Sequence, residues 1–414
     1  MLWGSASVDI ADVLEICVWL DLNRDFYLTI RRIIGSIRYR SRKSIALYFQ
    51  YNTNRSVSWQ QSRVGLAFVA ARYKDQTLCK VLRASRSLKA TEPRDHVYAF
   101  LGCPVAKDGE GRTLVDADYT SSIHDLNIRL ACALMKSLTE GPLVLSAVYH
   151  RSRESLLNGG YPSWVPAWHV SGRRFGRIMD PRYWYRASGS TKFFATISPD
   201  EEGLLTVGGF VFDKVVWISN TIQHDRESLS YIHPNPTVRG SDELPIDTLS
   251  DHVVQTATGL GLAIRREVIV RTLMQGYPAE RSNESVSDER QKEHLEAYKK
   301  KTRVARSSGV KAVEWTAREK QHALRFEEDL HPMNRSKLFL TVNGRLWILP
   351  RGDLVEFGDI CCIIFGATVP FLLTRVKDGR HKLVSDCYIH GAMDGAVVQQ
   401  FAGSDLSDRR IIIE

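Results

Sequence analysis

No stretch of this chain approaches the about 18 uninterrupted apolar residues of a membrane-crossing helix. Its opening, Met1-Leu2-Trp3-Gly4-Ser5, has no basic segment followed by a long apolar run, so no secretory leader is expected. Close-set cysteine and histidine pairs are also missing. Cys17, Cys79, Cys103, Cys132, Cys361, Cys362 and Cys387 are scattered and form no CxxC, which argues against zinc and for buried thiols in a reducing compartment. There is no GxxxxGK[ST], no HExxH and no GxSxG. Gly259-Leu260-Gly261 is no dinucleotide loop, because the third glycine, the distal acid and a preceding strand are lacking. These absences lead to the expectation of a cytoplasmic chain with no membrane segment, no cofactor, no metal and no assigned catalytic residue. No internal repeat is evident.

What is present is ordinary globular material. The chain has 414 residues, 43% hydrophobic and 25% charged, enough for two or three domains. A formal charge of +9 gives mild attraction to anions without naming a partner. The basic runs Arg38, Arg40, Arg42, Lys43 and Lys299-Lys300-Lys301-Thr302-Arg303 read first as solvated helix surface, the second laced by flanking acids. Nucleic acid is accordingly the weaker reading of both.

Hydrophobic periodicity predicts an α+β fold: a helical N-terminal part, a mixed middle part, and a small antiparallel barrel-like sheet at the C-terminus. The expected divisions are 1–104, 105–330 and 331–414. Helices are predicted within Asp9–Ile37, over Asp75–Leu88, over Ser121–Leu138, across Ser250–Met274, and as one long charged helix in Ser287–Leu330. Ser121 or Ser122 is the expected cap of its helix, and Gly141-Pro142 its stop. Leu143–Tyr149 then reads as a buried strand, and Asn220–Leu244 as a loop. Strands are predicted at Phe193–Ile197 and Leu204–Ile218, with Gly208-Gly209 marking a close backbone approach. The last part carries short apolar runs at Lys337–Val342, Arg345–Leu349, Leu354–Phe357, Ile360–Phe365, Phe371–Val376 and Lys382–Val384. Asn343-Gly344 and Asp378-Gly379 fit tight hairpin turns between them.

The segment Thr91-Glu92-Pro93-Arg94-Asp95-His96-Val97-Tyr98-Ala99-Phe100-Leu101-Gly102 organises the rest. Pro93 ends what precedes it, and a short helical turn from Arg94 buries Val97, Tyr98 and Leu101. Arg94 beside Asp95 suggests a paired charge. A structural knot is the first reading and a ligand contact the second. This stretch resembles the "PRD-x-VYA" motif of fungal heterokaryon-incompatibility (HET-domain) proteins. Tyr161-Pro162-Ser163-Trp164-Val165-Pro166-Ala167-Trp168 is similar to that family's "LPSWVPDW", and Cys387-Tyr388-Ile389-His390-Gly391-Ala392-Met393-Asp394-Gly395 to its "CYVHGIMDG". The three occur in the family's order. The resemblance implies allorecognition and programmed cell death. It also marks Pro93, Arg94, Asp95, Tyr98, Trp164, Pro166, Trp168, His390, Gly391, Asp394 and Gly395 as motif positions, expected to be structural. Trp164 and Trp168 are expected to pin a loop, an aromatic ligand platform being the rival reading.

The family's core blocks, "SYxWG", "IDxxCINQ" and "VWxxQE", are not found. The resemblance therefore implies the region that follows the effector core, with the core lost, unrecognised or encoded upstream. Ala396 stands where the family has an acid, and Trp347-Ile348-Leu349-Pro350 replaces its glycine-rich "GLGP". The expected function is a non-enzymatic accessory or regulatory region working through protein partners. The rivals are a cryptic thiol enzyme using Cys387, His390 and Asp394, and weak nucleic-acid binding.

Overall fold

The computed structural model describes residues 2–3, 6–7, 77–86, 90–170, 185–198, 203–224, 229–231, 244–276, 288–306, 315–330, 335–350, 352–401 and 409–414. The helices expected before residue 77 and the linker at 278–288 lie largely or wholly outside them. The chain divides into two compact units, Met1–Ile123 with Trp168–Ser171, and His124–Ala167 with Gly172–Glu414.

In the first unit, β1 (Leu2–Trp3) pairs with β2 (Ala6–Ser7). Helix α1 (Leu78–Ser85) starts where the Thr77 side chain accepts the Lys80 N–H at 3.3 Å, and it buries Leu78, Val81 and Leu82 as its spacing predicts. The anchor segment forms α2 (Asp95–Tyr98). A single 3-10 turn at Pro104–Ala106 follows Gly102.

The second unit opens at His124, within α3 (Ile123–Met135), which buries Leu126, Leu130 and Leu134. Just before this helix, the Ser121 hydroxyl donates to the Asp118 carboxylate. Gly141-Pro142 does not stop helical structure, and Leu143–Tyr149 is not a strand. Instead α4 (Glu140–Ser146) runs through it. Pro142 sits in the first turn, where its missing N–H is no loss, and a short apolar run buried on all sides has no period that separates strand from helix. Helix α5 (Arg153–Asn158) is held by a reciprocal capping box between Ser152 and Ser155.

The core of this unit is a branched β-sheet built from β3 (Ala195–Ile197), β4 (Leu205–Ile218), β5 (Ile222–His224), β6 (Leu229–Tyr231), β7 (Ser336–Thr341), β8 (Leu346–Pro350), β9 (Ile360–Ile364), β10 (Phe371–Arg375), β11 (His381–Asp386), β12 (Tyr388–Ile389) and β13 (Arg410–Ile413). Strand β4 is its spine. Residues 205–208 pair with β3 and β13, 209–214 with β9, and 215–218 with β7. Register shifts at Val211/Asp213 and Val215/Trp217 mark bulges, which bend a strand and raise its twist. That bending lets one strand serve two sub-sheets. The first closes on itself as β4–β9–β10–β11–β13–β4, antiparallel except for the parallel β11–β13 contact. The second runs β4–β7–β8–β12, with β5 on β7 and β6 on β5. The expected barrel-like sheet is thus present, but its edge does not coincide with residue 331, because β4 comes from the middle of the sequence.

Glycine makes the β4–β9 approach possible. A Cβ on Gly209 would lie 2.5 Å from the Ile363 carbonyl oxygen. Both predicted hairpin turns form, with positive φ at Gly344, Asp378 and Gly379. Phe212, Phe339, Trp347, Ile363, Leu372 and Ile389 fill the apolar interior, where each large side chain contributes roughly 1.5–3 kcal/mol of burial.

Four further expectations are corrected. The stretch expected as a loop at Asn220–Leu244 carries the β5–β6 hairpin. Leu354–Phe357 is no strand; a 3-10 turn covers Gly352–Leu354. The helix expected across Ser250–Met274 is two, α6 (Pro245–Gly259) and α7 (Arg266–Leu273), separated where Gly261 takes φ 73°. Likewise, the long charged helix is a pair, α8 (Asp288–Arg306) and α9 (Ala317–Leu330), joined by Tyr298 against Phe326 at 4.9 Å between ring centroids. Lys299, Lys300 and Lys301 each have an acidic partner, Asp247, Glu319 and Glu327.

Candidate functional site

The three motifs are joints, each closing a different piece of backbone. In the first unit, the Tyr98 hydroxyl donates to the Asp118 carbonyl at 2.8 Å and accepts the Asp118 N–H at 3.0 Å. Arg94 Nη1 donates to the Tyr119 carbonyl at 2.7 Å, while the Tyr119 hydroxyl donates to Asp95 Oδ1 at 2.8 Å. The Tyr98 and Tyr119 rings meet edge to face at 5.1 Å. Arg94 and Asp95 are therefore not paired with each other. Their side chains diverge onto Tyr119, and the arginine's acidic neighbour is Glu92 at 3.6 Å. The Asp118 carboxylate is held well below its usual range, chiefly by the Ser121 hydroxyl and then by Thr120. Pro93 is exposed and precedes the helical turn. Trp168, fully buried in this unit, carries the Arg86 guanidinium over its ring at 5.1 Å.

The second motif braces the end of the sheet. Trp164 is fully buried and donates from Nε1 to the Gly203 carbonyl at 2.7 Å. Ser163 donates from its N–H (3.0 Å) and its hydroxyl to the Glu414 carbonyl, and that hydroxyl accepts the Leu383 N–H at 2.9 Å. The Leu383 carbonyl in turn takes His150 Nε2 at 2.8 Å. Burial drives the His150 pKa down to about 4. Pro166 lies in the same turn-rich, buried run.

The third motif is a sharp turn. Gly391 and Gly395 take φ of 77° and 90°, a region closed to most side chains. The His390 N–H donates to the Leu346 carbonyl at 2.9 Å. Asp394 Oδ1 accepts the Ala396 N–H at 3.1 Å, at the head of α10 (Ala396–Phe401). Burial, helped by the Arg271 charge and opposed by Asp394, pushes the His390 pKa below its usual value. Cys387 lies at zero exposure, its thiol directed to the Pro370 carbonyl at 3.6 Å, and burial raises its pKa well above the ordinary thiol value. Nothing in this geometry favours the thiol-enzyme reading.

Sequence spacing did not reveal Asp118, Tyr119 or Leu383 as the partners of these motifs. Nor did it single out Arg271, whose charge acts on His390, or Gln275, whose backbone carbonyl accepts the Tyr185 hydroxyl. Among the described residues no group of three or more histidine, cysteine or acidic side chains is placed to hold a metal ion, and no helix is long and apolar enough to cross a membrane.

The class these features define is an α+β protein whose second unit carries a closed circuit of strands, with the marked residues of each unit locking turns and strand ends within that unit. Residues 254–406 match the Het-6 beta-barrel domain, a domain found in fungal HET-type heterokaryon-incompatibility proteins. Over that segment the resemblance carried by the motifs is borne out. No curated protein and no solved structure matches the chain.

Proposed function

We propose that this chain is a non-enzymatic accessory region of a HET-type incompatibility protein, acting on an effector core through protein contacts. The match of residues 254–406 to the Het-6 beta-barrel domain carries this reading. The side chains of the three motifs support it: Tyr98, Arg94, Ser163, Trp164 and Asp394 spend their polar atoms on backbone groups. A scaffold so braced presents a defined surface, which suits recognition or restraint. Incompatibility function and programmed cell death enter here as the roles of the family whose domain it carries.

The test is inducible expression of this chain alone in a fungal host, scored by colony viability. The proposal expects viability equal to the uninduced control. Death caused by this chain alone would overturn it.

A further inference from the structure

We propose that the end of α7 and the His390 turn form a binding site for a small planar lactam or carboxamide, a molecule with an N–H beside a C=O, taken edge-on by the Gln275 amide. This goes beyond the protein-contact reading and does not depend on it. Gln275 is fully buried, and neither Nε2 nor Oε1 has a hydrogen-bond partner among the described residues. Buried polar side-chain atoms are nearly always satisfied, so one amide with both atoms unspent calls for a missing partner. The same residue takes φ 52°, a conformation that glycine or asparagine adopts at less cost at a helix end. Gly276, at φ 75°, directly follows. Burial without partners and a left-handed backbone thus coincide at one glutamine. Such coincidences collect where a ligand is held.

The surroundings set the chemistry. The Tyr185 hydroxyl donates to the Gln275 backbone carbonyl, which fixes this residue while leaving its side chain unspent. The Tyr388 ring lies against Gly276, where an added Cβ would come within 3.2 Å of it. The Tyr185 and Tyr388 rings stand 6.0 Å apart at 55°, too tilted to sandwich a ring but able to wall one side of it. The Tyr388 hydroxyl meets His390 Nδ1 only at 3.5 Å, a long contact. Arg271 lies one helical turn before Gln275 and acts on His390 electrostatically, opposed by Asp394, so the two charges offset each other and a neutral guest suits the surroundings. A primary amide with a free donor and a free acceptor pairs best with a C=O/N–H edge, forming two parallel hydrogen bonds as glutamine does with a nucleobase edge.

The experiment measures thermal shift and calorimetric binding on the full chain with uracil, hypoxanthine and benzamide. The control is 1,3-dimethyluracil, which keeps the ring but has no N–H. Uracil or hypoxanthine is expected to bind and raise the Tm, and dimethyluracil to leave it unchanged. Gln275→Met should weaken binding by ~10-fold or more, while the unliganded Tm rises because the unpaired amide is gone. Tyr388→Phe, which keeps the ring, should still bind. Three results would overturn the proposal: no probe binding, equal binding of dimethyluracil, or a Gln275→Met protein that is less stable or unfolded. The last would show that the amide has a structural partner, such as an enclosed water. None of these outcomes bears on the viability test above.

Discussion

One hydroxyl, that of Tyr98, satisfies both backbone groups of Asp118, twenty residues away, donating to its carbonyl and accepting from its N–H. The PRD-type motif is thereby tied to the Asp118-Tyr119 segment, with Arg94 and Asp95 gripping Tyr119 from two sides. Removing that hydroxyl leaves a donor and an acceptor without partners. Tyr98→Phe is expected to cost roughly 1–3 kcal/mol, read as a lower urea midpoint. An unchanged midpoint would show that the knot is not held here.

Buried ionic joints should be more sensitive. Arg153 meets Asp359 through two bonds of 2.7 and 2.9 Å, and also reaches Thr374 Oγ1 and the Leu354 carbonyl. Asp359 is only 2% exposed, so Asp359→Asn removes the buried charge that holds the partly buried Arg153 guanidinium and leaves it, among the described acids, only the exposed Glu356 at 3.5 Å. The expected loss is about 3–5 kcal/mol, the usual cost of breaking one side of such a pair. Equilibrium denaturation checks it, and a loss comparable to a surface mutation would contradict the role assigned to this joint.

Glycine positions separate tight backbone from open space. Gly209→Ala sets a methyl 2.5 Å from the Ile363 carbonyl and should push β4 from β9, at a cost of roughly 1–3 kcal/mol. Gly102→Ala meets nothing within 4 Å. It should stay within about 0.5 kcal/mol of the parent. Paired thermal melts test the contrast.

Stability should fall in mild acid. His150 has its pKa lowered from the usual 6.5 to about 4 in the fold, chiefly by burial. Between those values the unfolded chain binds a proton that the folded chain refuses. Its contribution is therefore complete above pH 6.5, declines as pH falls, and is gone below about 4. The upper limit is about 3 kcal/mol. In His150→Asn the loss of urea midpoint from pH 6.5 to 4 should be shallower. His96, His381 and His390, shifted in the same direction by burial, keep the slope above zero.

Much of the fold was legible wherever local chemistry decided it. Asn343-Gly344 and Asp378-Gly379 announce positive φ, Gly208-Gly209 a close approach, and Leu78, Val81 and Leu82 a helical face. Non-local decisions were hidden. Closing the strand circuit joins β4 to β9 and β13 across more than a hundred residues, and no periodicity in either segment records that pairing. Leu143–Ser146 misled because complete burial erases the alternation that marks a strand. The motifs were visible as letters, but their partners were not, since Tyr98 reaches Asp118 and Ser163 reaches Leu383 and Glu414 only in the folded chain. Gln275 gave no signal at all. A polar residue after a helix is ordinary until its burial is known.

The most direct test of the account is colony viability when this chain is co-expressed with a HET-family effector that carries its core. The account predicts that the intact chain changes the effector's killing, that Gly209→Ala weakens this effect in step with its lost stability, and that the chain alone leaves the host alive. Killing by the chain alone, or an effector unaffected by its presence, would contradict it.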